Sequence, residues 1–434
     1  MSSMQQHVWR RSLWRRSLSI LLILLLWGLA GCQPLQARDS DGIQHLTLWH
    51  GVNPPANRDV LDDLVAQFNQ SHDQIELEAL YVGQGDQQIP KILTAVLGQS
   101  PPDLLWYAPM LTGQLIELDA IRPLDDWYAQ TKLLDDLDPS LYEAIALEDH
   151  LWSVPFGVNN VGIFYRPSLF AEAGITQVPH TWDELRQVAQ LLTDREAHPP
   201  RHGIILPLGK GEWTVFMWLS FLWSAAGDLL DHGQIHLVTP EAIAALHLWQ
   251  DMVADGSALL SQPERGYELT DFLAGKVAMQ LTGPWTLREL RSTGVDFAVM
   301  PIPMDRQPAT AIGGENLFIF RTHPEREQAA LQVAEFLVSE AAQTQWAIGT
   351  GYLPVNLRSR QSQAYQAVVQ DQPALQIFLD QAEQGRSRPI FANYNRLSDQ
   401  LGRAIEAVML QSKSPEEALH QAQQRLNRML GSAP

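Results

Sequence analysis

The stretch "IQHLTLWHG" (43–51), followed by "ANRDVLDDLVAQFNQSH" (56–72), decides how the chain folds. Its first part reads as a strand. Its second puts apolar residues at Val60, Leu61, Leu64, Val65 and Phe68, the spacing of one helix face. "IELEALYVG" (75–83) then alternates like a half-buried strand, "QIPKILTAVLGQS" (88–100) reads as a helix with a glycine near its end, and "PDLLWYA" (102–108) is again a strand. A β-α-β-α-β order predicts an α/β domain on a largely parallel sheet.

A second α/β region starts near "WSVPFGVNNVGIFYRPSLF" (152–170). Thr181 with Glu184 makes a capping box, and Thr239-Pro240-Glu241 puts proline at a first helical position. "HPPRHG" (198–203) is a loop, "KVAMQLTGPWTL" (276–287) runs from a strand into a Gly-Pro turn, and "VDFAVMPIP" (295–303) is another strand. The C-terminal part is helical, with Ser414-Pro415-Glu416-Glu417 opening a last helix. With 45% hydrophobic residues, a chain of this length supplies a large core, divided between two lobes.

Toward the N-terminus, Arg10, Arg11, Arg15 and Arg16 precede an apolar run, Ile20–Leu26, and the small residues Gly28, Ala30 and Gly31. That order predicts a secretory signal peptide over 1–31, too short in its apolar part for the ~20 residues of a membrane-spanning helix. A leucine-rich core fits the general secretory route better than a twin-Arg one. Leu29-Ala30-Gly31-Cys32 contains the only cysteine and resembles the lipobox of bacterial lipoproteins. The resemblance implies acylation of Cys32 and cleavage before it, followed by a polar tether to residue 42. Loss of the four arginines takes the formal net charge from −19 to −23. So acidic a chain lacks the basic patch that nucleic acid requires.

No chemistry of a familiar enzyme class emerges. The chain has no P-loop, no G-x-S-x-G elbow and no H-E-x-x-H, and "GQGDQQ" lacks the third glycine of a dinucleotide fingerprint. A glycosidase needs two carboxylates across a cleft, for which Asp103, Glu315 and Asp125 or Asp126 are the candidates. The expectation is a protein that is not an enzyme and has no cofactor and no metal.

Tryptophan is abundant, at 14 against 13 Phe and 9 Tyr, and much of it stands at strand-to-loop junctions: Trp49-His50-Gly51, Trp106-Tyr107, Glu212-Trp213, Gly283-Pro284-Trp285. An indole offers a rigid apolar face and one N–H donor, which suits the C–H faces and hydroxyl belt of a sugar. Strand ends of an open α/β sheet are where ligands sit.

In "LTLWHG" with "LVAQFNQSH", "PPDLLWYAP", "VPFGVNNVGIFYRPSLFAEAGI" with "PHTWDEL", "AMQLTGPWTL" with "FAVMPIPM", and "IGGENLFIF" with "EFLVSEAAQTQWAIGTGYLPVN", the chain resembles the sugar-type solute-binding proteins of bacterial ABC importers. That family includes maltose- and glycerol-phosphate-binding proteins. The resemblance implies a two-lobed periplasmic-binding-protein fold, hinged about a ligand cleft, with 43–153 and 309–339 in one lobe and 154–308 and 340–434 in the other. It also implies site residues. Trp49, His50 and Asn53 lie at the end of the first strand; Tyr107 stands at an aromatic platform; Asn159 replaces a glutamate directed at sugar hydroxyls. Trp285 is the stacking residue of the second lobe. Gly313 and Gly314 allow close approach beside Glu315 and Asn316, and Arg388 and Tyr394 lie in a late cleft-lining segment, with Trp213 a further candidate. Ala108-Pro109-Met110 replaces the charged residues that follow the platform in maltose-binding relatives, which favours a small neutral glycoside or disaccharide over long maltodextrins.

The function expected is therefore a lipid-anchored, extracytoplasmic, monomeric binding subunit that delivers sugar to permease subunits served by a cytoplasmic ATPase. A glycerol-3-phosphate or phosphodiester binder of the same family, a secreted glycan-active enzyme, and a sensor presenting sugar to a receptor are the alternatives.

Overall fold

The computed structural model describes residues 42–209, 211–261 and 269–431. The expected signal peptide (1–31), Cys32 and all but the last residue of the tether lie outside them. In chain order the two main sheets use β1 (Gln44–His50), β2 (Ile75–Tyr81), β3 (Leu104–Tyr107), β4 (Val154–Asn160), β5 (Gly162–Tyr165), β6 (His202–Leu206), β7 (Ala258–Leu260), β8 (Val277–Thr282), β9 (Ala298–Met300), β10 (Thr310–Ile319) and β11 (Gly385–Ser387).

The first sheet has the order β11-β10-β3-β1-β2, with β4 also on β10; the second runs β7-β6-β8-β5-β9. Within the first, β1 and β3 are parallel, as the opening rhythm predicts, with Leu48 opposite Leu104. Yet β10 runs antiparallel to both β3 and β4. In the second sheet β5 is antiparallel to β8 and β9. Both sheets are thus mixed rather than largely parallel. β10, which opposes β3 and β4, and β5, which opposes β8 and β9, are the strands on which the chain enters one sheet from the other, and no helical crossover precedes them to impose a parallel run. β4 and β11, which the expected boundaries put in the second lobe, hydrogen-bond to β10 in the first sheet.

Helix α1 (Pro55–Ser71) covers the first sheet with Val60, Leu61, Leu64, Val65 and Phe68, all buried. Each such side chain contributes roughly 1.5–3 kcal/mol by leaving water. α2 (Ile89–Leu97) follows β2. In the second region the Thr181–Glu184 capping box opens α3 (Trp182–Leu192), both of its hydrogen bonds being present. α4 (Glu212–Ser224) is buried on all sides from Thr214 onward. It packs on β10 and on α6 (Tyr394–Met409). α5 (Pro240–Ala254) has Thr239 accepting from the Ala242 N–H, and Ser414 accepts from Glu417 at the start of α7 (Pro415–Gly431).

The chain passes from the first sheet to the second at Val161, between β4 and β5, and comes back through 301–309 into β10. These two passages touch. The Thr310 hydroxyl donates to the Val161 carbonyl at 2.8 Å and accepts from the Val161 N–H at 3.2 Å.

Candidate ligand-binding site

A cavity of about 370 Å³ opens where strands of both sheets end. From the first sheet's side come Gly51 and Asn53 after β1, Trp106, Tyr107, Ala108 and Met110 at the end of β3, and Asn159 of β4. From the second come Glu212, Trp213 and Phe216 in the first turns of α4, and Trp285 and Thr286 in the turn after β8. Gly313, Gly314 and Glu315 supply its floor from within β10, and Arg388 follows β11.

The floor is shaped by the lack of side chains. Gly314 has φ +134°, and a Cβ there would lie 2.0 Å from the Gly157 carbonyl oxygen. A Cβ at Gly313 would lie 2.3 Å from Asn159 Oδ1, its partner across the β10–β4 pair. Gly283 has the same role for the wall, since a Cβ would meet the Trp285 ring at 1.9 Å. The Trp285 indole stands edge-on to Trp213, with centroids 5.8 Å apart. Asn57, fully buried in α1, donates to the Trp285 carbonyl at 3.3 Å.

Neutral polar atoms surround these rings. Gln84 Oε1, Gln88 Oε1, Trp106 Nε1 and Asn159 Oδ1 are buried on lining residues and have no hydrogen-bond partner in the protein. On the wall of a cavity such atoms are available to hydrogen-bond a bound molecule. The charged centre differs. Arg388 Nη1 donates to Glu212 Oε1 at 2.6 Å, the Tyr394 hydroxyl donates to the same oxygen at 3.0 Å, and the Ser398 hydroxyl donates to Oε2. The Arg388 guanidinium also lies 4.4 Å over the Phe216 ring.

Of the residues singled out from sequence, the structure brings Asn53, Tyr107, Asn159, Trp213, Trp285, Gly314, Glu315 and Arg388 to one cavity. Trp49, His50 and Tyr394 are not among its lining. Trp49 and His50 are still within β1, so they project to opposite faces of the sheet. Trp49 packs against the cluster around Ile92 and Leu105. His50 is 2% exposed and its ring meets Tyr81 at 5.9 Å. Burial, then the Arg58 guanidinium, pushes its pKa down to about 4, so it is neutral at pH 7. Tyr394 stands behind the wall, on Glu212. Of the carboxylates considered for glycoside hydrolysis, Asp103 is bound by Arg326 and Asp125 by His150, whereas Glu315 lines the cavity.

Sequence reasoning missed Glu212, Gln84, Gln88 and Phe216. Glu212 was legible as the partner of Trp213 in a helix-opening Gly-Glu-Trp, where a carboxylate is favoured by the helix dipole. Both glutamines lie within "GQGDQQ" (83–88), whose glycines alone were read, as a dinucleotide fingerprint.

A family model described as bacterial extracellular solute-binding protein matches residues 63–376. A maltotriose-binding protein of Pyrococcus abyssi is 23% identical over 325 residues, covering 72% of this chain and 67% of the relative. An sn-glycerol-3-phosphate-binding periplasmic protein of Salmonella paratyphi A is 22% identical over 414 residues, covering 89% and 92%. Among solved structures, the GacH receptor of Streptomyces glaucescens, crystallised unliganded and with acarbose, superposes with a TM-score of 0.80 at 20% identity, covering 90% of this chain and 100% of that one. At that overlap the fold is shared: two α/β lobes with a ligand cleft between them.

Proposed function

Because the chain belongs to the bacterial extracellular solute-binding proteins, we propose that it is the substrate-binding subunit of an ABC sugar importer, taking a small neutral glycoside or disaccharide between its lobes. The observation that carries this reading is the cavity wall itself: aromatic faces from Trp106, Tyr107, Trp213 and Trp285 beside unpartnered amide and indole atoms. Apolar faces meet the C–H surface of a sugar ring, and the amides meet its hydroxyls. The volume falls in the usual range for small-molecule sites, roughly 300–1,000 Å³. Ala108 and Met110 add apolar rather than charged surface.

The lobes are the bodies built on the two sheets, and they move about the passages at Val161 and 301–309. Ligand stabilises the closed form by its higher affinity for that form. The closed protein docks as a monomer on its permease, where a cytoplasmic ATPase supplies the energy. It performs no chemistry on its ligand. A lipid on Cys32 keeps it outside the cytoplasmic membrane and close to the permease, which raises the encounter rate through local concentration.

A second reading, glycerol-3-phosphate or a glycerophosphodiester, is favoured by the longer match to the Salmonella protein. Thermal unfolding with disaccharides, glucosylglycerol-type glycosides, maltodextrins, glycerol-3-phosphate and glycerophosphodiesters separates the two. A ligand at 100 times its Kd adds about 2.7 kcal/mol. A rise in Tm with a neutral glycoside and none with the phosphates is expected; a rise with phosphates alone establishes the second reading instead.

A further inference from the structure

We infer that Glu212 sets the charge class of the ligand: by holding the Arg388 guanidinium in an internal ion pair, it makes the cavity refuse anions. The inference rests on the reading of the site as a glycoside site. Among the described residues lining the cavity, Arg388 is the one cation. Recognition of a phosphate by arginine uses two N–H groups of the planar fork and the full positive charge behind them. Here Nη1 is occupied by Glu212 at 2.6 Å, and the side chain is only 7% exposed. An anion seated against Arg388 would also meet the Glu212 carboxylate at close range, in a partly buried setting where like charges repel strongly.

Three further features keep the carboxylate in place. Tyr394 and Ser398 donate to it from α6. Glu212 is the first residue of α4, where the helix dipole favours negative charge. Phe216, one turn along the same helix, carries the guanidinium on its ring face at 4.4 Å. Glu212 and Phe216, one turn apart on α4, therefore hold the guanidinium that arrives from the end of β11. A neutral hydroxyl suffers no repulsion from it, and Arg388 Nε, which has no protein partner, remains as a donor.

Glu212→Gln keeps the shape and removes the negative charge, turning a neutral pair into a net cation on the wall. Calorimetry with maltose and with sn-glycerol-3-phosphate on the wild type, E212Q and E212Q/R388M tests the assignment. The wild type is expected to bind glycerol-3-phosphate weakly or not at all. E212Q gains affinity for it by at least about tenfold, in a salt-sensitive manner, and the double variant loses that gain. An E212Q that is folded by circular dichroism but binds glycerol-3-phosphate no better than the wild type overturns the inference. Should E212Q not fold, R388M decides: unchanged phosphate binding relative to the wild type supports the internal pair, and a loss shows the guanidinium was already open to anions, which overturns it. Wild-type protein that binds none of the neutral glycosides of the thermal-unfolding series overturns the glycoside reading, while a phosphate gain in E212Q still upholds the role of Glu212.

Discussion

At position 283 a hydrogen stands where any other residue would place a methyl group, and the Trp285 indole occupies that space. A Cβ would sit 1.9 Å from the ring. A rigid indole cannot give way as a lysine tip could. Gly283→Ala is accordingly expected to cost about 1–3 kcal/mol of stability, the usual penalty for overpacking, read as a lower urea midpoint at unchanged slope. It should also weaken ligand binding, because Trp285 must leave its edge-on contact with Trp213. Stability and binding both at wild-type level would show that the turn accommodates the methyl group. At this scale the sequence was readable where chemistry and a sharp turn coincide, as in Gly283-Pro284-Trp285 or Gly313-Gly314. It was misleading at Trp49 and His50, because both are still within β1 and project to its two faces, short of the cavity that opens beyond the strand. Glu212 was hidden for another reason: its importance comes from Arg388, Tyr394 and Ser398, at least 176 residues away in the chain.

Among the elements, helices and their caps were the most legible parts, since periodicity and capping chemistry are local. Thr181, Thr239 and Ser414 all cap where their side chains predict. Strand direction was not legible. Nothing within "ATAIGGENLFIF" says that it runs antiparallel to two neighbours, because that depends on where the chain has just come from. The contact between the two passages is similarly long-range. Thr310→Val keeps the volume but leaves the Val161 N–H and C=O without their hydroxyl partner, at a cost of about 1–3 kcal/mol. Chemical denaturation should show this loss in the variant, and a wild-type midpoint would mean that the passages hold each other by packing alone.

For the whole molecule, two of the interactions that join elements following different sheets meet at the start of α1. Arg288, in the helix Leu287–Thr293 after β8, donates to the Ala56 carbonyl of α1 at 2.7 Å, and Asn57 reaches the Trp285 carbonyl. Both must break if the lobes part at this edge. Arg288→Ala removes this exposed hydrogen bond and a longer one to the Gly349 carbonyl without opening a core cavity, so it should shift the balance toward the open form. The expected result is a larger radius of gyration by small-angle scattering without ligand and a modestly lower affinity. An unchanged radius would mean that this contact persists in both forms.

The floor of the site has a different fate from its walls. Gly313, Gly314 and Glu315 lie mid-strand in β10, bonded on one side to β4, with β3 joining from Asn316 onward. Evolution has little freedom there, since any side chain at Gly314 meets a backbone oxygen and any shift is passed to the neighbouring strand. The walls are turns and helix starts, whose backbone is not locked between two strands and so has more room to adapt. A lineage acquiring a taste for a new solute would therefore rewrite residues 84–88, 211–216 and 284–289 and inherit its glycine floor unaltered.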